Sequence, residues 1–486
     1  MYNFINFDKI SKWFYIKSEF DYIGLSAFYL IGLCLSIAVF ILFAHRWTIK
    51  PLAILLTILS GISTYFIAKY DVAIDTSMIV NALNTDTTEV RGLLSIQMVP
   101  YLIFLIILPI IVIYFVGITF SGKVKYLLGS ITLFASAMVL ALGLLYAQFN
   151  PIHRAGNMSK KYIIHQLIPV NHMRSIISII QSRIKTYLPK DDIKEIEVSA
   201  HTTTRDNLVV VLAVGESARQ KNFSLYGYAK QNTNPILSKD KNLHMLNGVA
   251  KYGSTLYALP EILTKEEVPL ATITAKAGIN TACYSHFSLY DNCGTVGETR
   301  VSNCGHGGRC YDEDVIPLLN DNLKSYTSGY KFIVLHLGGG SHGPNYQKRY
   351  PPEFQRFHPM CLDADVVNKC TIDELYNSYD NTILYTDYVL GNIINELDNS
   401  GVPYVFIYIS DHGESLMEND RVFHGMPPGI PLPPEQRHVP LIVKSSIPLS
   451  ILKRQEYRQP DVYDSILDLL SVESNITDKE GSFLKK

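Results

Sequence analysis

The stretch NLVVVLAV at residues 207–214, followed at once by GESAR at 215–219, decides the fold of the C-terminal part of the chain. It is short, rich in valine and continuously apolar, which is typical of a strand buried on both faces of a sheet. Four further runs have the same character: Ile279–Tyr284, Lys331–Leu337, Tyr404–Ile409 and Val439–Val443. We predict that these five runs are buried parallel strands of one α/β domain over residues 206–486.

A long amphipathic stretch, Ile372–Leu397, lies between two of these runs and has helical periodicity. Alternation of strands with helices predicts a mostly parallel sheet that helices cover on both faces. In such sheets, ligands bind at the carboxyl ends of the strands.

The first 150 residues have a different character, because apolar residues are concentrated there. Four runs are each about long enough to cross the hydrocarbon core as a helix: Tyr22–Ala44, Pro51–Ala68, Met98–Val116 and Tyr126–Tyr146. The first run starts late and further spans follow, so we expect no cleaved signal peptide. Residues 1–150 are therefore predicted to form an all-α transmembrane domain of about four helices.

The charges of the short loops predict the orientation of these spans. The loops after the first and third spans are basic, with Arg46, Lys50, Lys123 and Lys125, whereas the loop after the second is mainly acidic, with Asp71, Asp75, Asp86 and Glu89. The positive-inside rule places the basic loops in the cytoplasm. Both termini, and with them the α/β domain, are then expected outside the cytoplasm.

Residues 151–205 are predicted to be a juxtamembrane linker. Within it, Asn171–Leu188 carries an isoleucine-rich stripe at helical spacing, flanked by basic residues. Two placements of this helix stay open: at the lipid headgroups, or packed on the α/β domain.

Composition excludes some functions and indicates a compartment. Lys and Arg number 43 against 44 Asp and Glu, so no basic excess points to nucleic acid. Of the seven cysteines, Cys34 lies inside a predicted span. The other six are spaced neighbours in the α/β domain, and we expect them to pair as disulfides in an oxidising compartment: Cys283 with Cys293, Cys304 with Cys310, and Cys361 with Cys370.

Candidate catalytic residues follow the predicted strands. Glu216 comes directly after the first strand, and Asp411 and His412 come after the fourth. All three are expected at the same sheet edge, where their oxygen and nitrogen donors suit zinc. Each alone is a weak signal, since an acidic residue after a strand is most often a helix cap.

Phosphoryl transfer through a covalent intermediate needs a hydroxyl, and four side chains are candidates: Ser217, Ser254, Thr255 and Ser410. Gly253-Ser254-Thr255 sits where a loop leads into a short helix, so either hydroxyl there is equally explained as an N-cap. His342 and His424 lie in loops that contain glycine and proline. Each could bind a metal, hold a phosphate oxygen or transfer a proton, or could be an ordinary surface histidine.

Taken together, these motifs resemble the phosphoethanolamine transferases of the Gram-negative inner membrane, within the alkaline phosphatase-like superfamily. The similarity rests on six segments in the same order as in that family. They are GESARQKNFSLYGYAKQNTNP from 215, SHGPNYQKRY from 341, NSYDNTILYTDY from 377, SDHGESL from 410, FHGMP from 423 and PPEQRHVPLI from 433.

The resemblance implies a role for each matching residue. Glu216, Thr255, Asp411 and His412 would hold zinc, Thr255 would be the nucleophile, and His342 and His424 would sit around the phosphoryl group or a further zinc. Many relatives carry a cysteine on each side of the nucleophile motif. Here Lys251 and Glu261 stand near those places, which leaves Ser254 as a competing nucleophile.

The acidic extracytoplasmic loop carries a further match. Asn81, Thr85 and Glu89 are spaced by four residues and so share one helical face. In relatives this helix contributes to the lipid-substrate site, although spacing alone also fits a solvated polar face. Relatives usually have five spans, and this sequence shows four.

The resemblance implies a monomeric inner-membrane enzyme with its catalytic domain in the periplasm. It would transfer phosphoethanolamine from phosphatidylethanolamine to an envelope acceptor, in particular lipid A, and confer polymyxin resistance. Alternatives are a glycan or surface protein as acceptor, phosphoglycerol transfer, a phosphatase or sulfatase, and a non-catalytic membrane sensor.

Overall fold

The computed structural model describes residues 2–16, 19–43, 45–70, 74–76, 79, 96–119, 122–159, 162–187, 199–204, 206–285, 289, 292–301, 304, 310–338, 340–363 and 365–486. The chain divides into two units, Met1–Pro189 with Pro427–Pro431, and Lys190–Met426 with Leu432–Lys486. The proposed lipid-site residues Asn81, Thr85 and Glu89 lie outside the described residues.

Within the described residues, four helices of the first unit are long and apolar enough to span a membrane, as predicted. They are α1 (Tyr22–Phe43), α2 (Ile49–Tyr70), α3 (Met98–Phe115) and α4 (Lys123–Ala147). Shorter helices precede and follow them: Tyr2–Ile5, Phe7–Ser11, α5 (Phe149–Met158), Tyr162–Gln166 and α6 (Val170–Tyr187).

Small side chains bring the spans together, as is usual where lipid tails remove the hydrophobic drive between helices. Cys34 of α1 is buried against Ala137 and Ala141 of α4. Gly61 of α2 lies so close to Ile106 of α3 that a Cβ at this position would collide with it. Cys34 is thus a small packing residue within the span.

Helix α6 is the amphipathic helix expected in the linker. It buries Asn171, His172 and Ser175, and the His172 ring is 2.8 Å from the Ser63 hydroxyl of α2. Ile176 and Ile177 remain exposed. Helix α6 thus packs within the membrane unit, and its placement at the lipid headgroups or on the α/β domain stays a prediction.

The second unit is built on an eight-stranded sheet within the described residues. Its strands are β1 (Leu208–Gly215), β2 (His244–Val249), β3 (Asn280–Ser285), β4 (Thr299–Arg300), β5 (Tyr330–Leu337), β6 (Tyr404–Ser410), β7 (His438–Ser445) and β8 (Tyr457–Arg458). Their spatial order is β8-β2-β7-β6-β1-β5-β3-β4. Sequence analysis did not predict β2, β4 or β8.

Strand β1 is central and buried along its whole length, which explains its continuous apolar pattern. It pairs in parallel with β5 on one side and β6 on the other. In both pairings Gly215 is the last register position, opposite Leu337 and Ser410. Residues that follow these strands therefore leave the sheet at one common edge.

Strand β7 corrects one prediction, because Val439–Val443 was expected to be parallel. It runs antiparallel to both of its neighbours, β6 and β2. After β6 the chain stays at the carboxyl edge of the sheet and enters β7 from there, so the strand has to run backwards. A parallel strand would need a crossover to the opposite edge.

Helices flank the sheet. They are α7 (Thr255–Leu263), α8 (Leu270–Lys276), α9 (Ile316–Lys324), α10 (Ile372–Asn399) and α11 (Gln459–Leu469), with shorter turns at Val366–Lys369 and Pro434–Arg437. Alternate β1 residues from Leu208 to Val214 share one apolar core with α7, α8 and α11. This core anchors α7 beside the strand ends.

Small antiparallel strand pairs complete the described part. They are Tyr15–Ile16 with Glu19–Phe20, Ala200–Thr202 with Val472–Ser474, Thr264–Lys265 with Val268–Pro269, Ser415–Leu416 with Val422–Phe423, and Ser450–Ile451 with Leu484–Lys485.

All three predicted disulfides are present: Cys283–Cys293, Cys304–Cys310 and Cys361–Cys370. Cys283 and Cys293 are both buried in the sheet core. Disulfides of this kind persist in oxidising compartments, which agrees with a location outside the cytoplasm.

Candidate active site

The carboxyl ends of β1 and β6 bring Glu216, Asp411 and His412 together, as the sequence predicted. The His412 Nε2 atom is 3.2 Å from Asp411 Oδ2 and 3.6 Å from Glu216 Oε1. All three side chains are buried. Because Gly215 and Ser410 are register partners, the residues that follow them emerge side by side.

Thr255 is the hydroxyl that joins this cluster from a third element. It is the first residue of α7, and Ser254 before it is extended in the N-cap position. Thr255 Oγ1 donates a hydrogen bond to Glu216 Oε2 at 2.9 Å and lies 3.4 Å from His412 Nε2. The N-terminus of a helix also favours the negative charge of a phosphoryl group.

The other three candidate hydroxyls are less accessible than Thr255, which is partly exposed. Ser217, Ser254 and Ser410 are 0%, 1% and 0% exposed. Ser217 Oγ donates to Glu216 Oε1, and Ser410 Oγ bridges Ala218 N–H and the His412 carbonyl. The geometry therefore favours Thr255 over Ser254, a choice that the sequence left open.

Backbone groups orient the donor atoms of the cluster. Asp411 Oδ1 accepts hydrogen bonds from the N–H groups of Ser217 and His412, at 2.9 and 2.7 Å. His412 Nδ1–H donates to the Gly413 carbonyl at 3.0 Å, which directs Nε2 toward the carboxylates. Asp411 Oδ2 is buried and accepts no hydrogen bond from the described residues.

The buried carboxylates of Glu216 and Asp411 lie close together, and a bound cation would relieve the repulsion between their charges. Burial, and then the charge of Glu216, raise the pKa of Asp411 to about 7. Burial also acts to raise the pKa of Glu216, but His412, His342 and His424 together lower it below its ordinary value. The three donor atoms lie within 4.8 Å of one another, which fits one metal ion with nitrogen and oxygen ligands.

The raised pKa of Asp411 predicts how the metal-free protein responds to pH. The ordinary pKa of an aspartate is near 4, so the folded state binds an extra proton between about pH 4 and 7. The contribution of Asp411 to the unfolding free energy is therefore largest at the acidic end and falls as pH rises through 7. Thermal unfolding of chelator-treated protein should show this loss, and Asp411→Asn should remove it. Equal pH dependence in both proteins would contradict the prediction.

A second group of ligand-type side chains adjoins the first. It consists of His342, Glu414 and His424, whose donor atoms also lie within 4.8 Å of one another. The His424 ring centroid is 4.5 Å from that of His342 and 4.4 Å from that of His412. Both histidines predicted from loop motifs thus face the same centre.

Arg219 is a fully buried residue that sequence analysis did not single out. Its guanidinium donates to Glu418 Oε1 at 2.8 Å and to the Glu414 carbonyl at 3.1 Å. It lies over the rings of Tyr376 and Tyr379, and the Tyr379 hydroxyl donates to the Ser217 carbonyl. Arg219 therefore ties the loop after β1 to the loop after β6.

Arg219→Ala is expected to lower the unfolding free energy by about 3–5 kcal/mol, because it leaves a partly buried carboxylate without its main partner. Lys221→Ala is the matched control, since Lys221 also contacts Glu418, at 3.5 Å, but is 51% exposed. Its expected cost is below about 1 kcal/mol. Thermal unfolding of the two variants measures the difference, and equal losses would reject a structural role for Arg219.

Lys251 and Glu261 form an ion pair that flanks the segment with Ser254 and Thr255, with 2.7 Å between Nζ and Oε1. They stand near the places where the resemblance led us to expect two cysteines. Lys251 is 59% exposed, so the pair contributes little to stability.

Comparison with known proteins identifies the chain. The sulfatase family profile matches residues 208–472, and the profile of the phosphoethanolamine transferases EptA/EptB matches residues 32–184. The phosphoethanolamine transferase EptA of Helicobacter pylori is 33% identical over 447 residues, which cover 87% of this chain and 81% of that protein. The chain belongs to the phosphoethanolamine transferase family.

Two further relatives agree over nearly the full length of this transferase. The phosphatidylethanolamine transferase Mcr-1 of Escherichia coli is 29% identical, covering 90% of this chain and 86% of that protein. The integral membrane lipooligosaccharide phosphoethanolamine transferase A of Neisseria meningitidis superposes with a TM-score of 0.87 at 26% identity. The superposition covers 99% of this chain and 95% of that structure.

The transferase is therefore an inner-membrane enzyme with its catalytic domain in the periplasm. The four spans, the EptA/EptB match and the Neisseria structure agree on this location. The predicted family and fold class are confirmed.

Proposed function

We propose that the chain transfers phosphoethanolamine from phosphatidylethanolamine to lipid A through a covalent intermediate on Thr255. The observation that carries the proposal is the Thr255 hydroxyl, which is 2.9 Å from Glu216 Oε2 and 3.4 Å from His412 Nε2. The name of Mcr-1 supports phosphatidylethanolamine as donor, and the name of the Neisseria enzyme supports a lipooligosaccharide as the class of acceptor.

Glu216, Thr255, Asp411 and His412 are the residues that would hold zinc. The buried donors of Glu216, Asp411 and His412, the open Asp411 Oδ2 and the adjoining Thr255 hydroxyl fit such an ion. When bound, zinc would act as a Lewis acid that stabilises the threonine alkoxide and the phosphoryl oxygens.

In the first step, Thr255 Oγ1 attacks the phosphorus of phosphatidylethanolamine. A bond forms between Oγ1 and phosphorus while the bond from phosphorus to the glycerol oxygen breaks. The Thr255 hydroxyl donates to Glu216 Oε2, which directs its proton toward the carboxylate. His424 or His342 protonates the glycerol oxygen, diacylglycerol leaves, and phosphoethanolamine remains on Thr255.

In the second step, a phosphate oxygen or hydroxyl of the acceptor attacks the same phosphorus. The bond from phosphorus to Thr255 Oγ1 breaks as Glu216 returns the proton to Oγ1, and the histidine that protonated the glycerol oxygen regains a proton from the acceptor group or from solvent. The histidines and the N-terminus of α7 stabilise charge on the equatorial oxygens in both steps. The face formed by Asn81, Thr85 and Glu89 is proposed, from sequence alone, to contribute to the lipid-substrate site.

Lipid A modification would explain a resistance phenotype. Each transferred group adds an ammonium to an anionic glycolipid and so weakens its attraction for cationic polymyxin. We propose that the enzyme acts as a monomer, because the proposed ligands and nucleophile all come from one chain.

The test is mass spectrometry of lipid A from a polymyxin-sensitive Gram-negative host that expresses the full chain. A phosphoethanolamine increment over the empty-vector host is the expected result. Its absence, with the protein confirmed in the membrane, would reject lipid A as acceptor. Envelope glycans and surface proteins, searched for the same increment or for phosphoglycerol, would then reveal another acceptor or donor.

A further inference from the structure

Glu414 is a completely buried carboxylate that contacts both histidine-bearing loops. Its Oε1 atom accepts hydrogen bonds from the Gly343 N–H, at 3.1 Å, and from the Tyr346 hydroxyl. Its Oε2 atom is 3.3 Å from His424 Nδ1. One side chain thus connects the loop after His342 with the His424 ring.

The backbone around these contacts fixes the two loops against each other. Phe423, next to His424, is buried and has a left-handed φ of 63°. Such a conformation is unfavourable for a bulky residue and persists only where its surroundings enforce it. Here the Phe423 ring fills the space beside Gly343, where a Cβ would collide with it.

A carboxylate at Nδ1 has a defined effect on an imidazole. It accepts the Nδ1–H hydrogen bond, fixes that tautomer and leaves Nε2 to face the reacting group. The His424 ring adjoins the rings of both His342 and His412, with centroids 4.5 and 4.4 Å away. A contact at Nδ1 restrains the rotation of this ring relative to those two neighbours.

We infer that Glu414 is a positioning residue for the transfer reaction, which sets the tautomer and direction of His424 and its spacing from His342. This inference rests on the proposed function, because His424 is there a proton donor to the leaving group. The competing role is direct metal ligation by the group His342, Glu414 and His424. Only the ligation role requires Glu414 for metal binding, so the metal content of a Glu414 variant separates the two roles.

The experiment uses the full chain in lipid nanodiscs with a fluorescent phosphatidylethanolamine as donor. Glu414→Gln keeps the side-chain shape but places an amide at His424, and it should lower kcat for diacylglycerol release by about 10- to 100-fold. KM, zinc per chain and the unfolding temperature should stay close to those of the wild type. Tyr346→Phe is the matched control, because it removes only the hydrogen bond that the Tyr346 hydroxyl donates to Glu414 Oε1. It should lower kcat less than about threefold.

A double-mutant cycle with His424→Asn separates positioning from general structural damage. If Glu414 acts through His424, then Glu414→Gln should have less than about a twofold further effect in the His424→Asn protein. If the kcat losses of the two single variants instead multiply in the double variant, the inference is overturned. A fall in zinc content with Glu414→Gln would assign metal ligation to Glu414 instead. Wild-type protein that releases no diacylglycerol and carries no phosphoethanolamine on Thr255 would reject the proposed function and this role with it.

Discussion

Thr255→Ala is expected to lower phosphoethanolamine transfer by about 10⁴-fold or more, because among the residues that the structure describes no other accessible hydroxyl lies at the cluster of Glu216 and His412. Thr255 Oγ1 contacts both of these residues, and the nearest rival in sequence, Ser254, is 1% exposed. The fold should survive, since Thr255 is partly exposed and alanine is a good residue at a helix start.

Three proteins measured side by side test this assignment. Wild type, Thr255→Ala and Ser254→Ala are incubated with phosphatidylethanolamine, and the intact mass of the protein and the release of diacylglycerol are recorded. The phosphoethanolamine adduct should form in wild type and in Ser254→Ala, with loss only in Thr255→Ala. An adduct that persists in Thr255→Ala and disappears in Ser254→Ala would transfer the role of nucleophile to Ser254.

Asp411→Asn is expected to lower transfer by at least about 100-fold while it stabilises the metal-free protein. Asparagine can still accept the hydrogen bonds that the Ser217 and His412 N–H groups donate to Oδ1. It removes the negative charge that burial and Glu216 disfavour. The variant is therefore expected to lose the proposed metal ligand and to gain folding stability, a common trade-off at functional sites.

Metal analysis and calorimetry on the same samples check both halves of this prediction. Metal per chain should fall in Asp411→Asn, and the chelated variant should melt above chelated wild type, by about 2–4 °C for each kcal/mol gained. Asp387→Asn is a suitable control, since Asp387 is also buried but caps the N–H groups of Ile236 and Leu237 away from the cluster. Full metal content in Asp411→Asn would contradict its role as a ligand.

The sequence predicted what depends on local pattern. Apolar runs gave the four spans and the strands that end at the cluster, and the positions after those strands gave Glu216, Asp411 and His412. The direction of β7 was predicted wrongly. It depends on whether the chain after β6 crosses to the opposite edge of the sheet, and the local sequence of the strand does not show this.

Burial created by distant parts of the chain could not be predicted in this way. Arg219 meets Glu418, 199 positions later, and Glu414 meets Tyr346, 68 positions earlier. In sequence, both are charged residues in loops, which are usually solvated. The choice between Ser254 and Thr255 likewise needed the backbone, which places Ser254 before the helix and Thr255 within it.

Helix α7 is held in place by apolar contacts and an ion pair, which bears on how the enzyme folds after export. Ala258, Leu259, Ile262 and Leu263 hold this helix in the core, each at most 1% exposed, and the ion pair of Lys251 and Glu261 closes the segment at the surface. Neither these apolar contacts nor the ion pair requires oxidation to form. Reduction of Cys304–Cys310 and Cys361–Cys370, which lie outside this core, should therefore leave the helix and Thr255 in place. Reduction of Cys283–Cys293 should act on the helix, because this disulfide lies within the core that holds it.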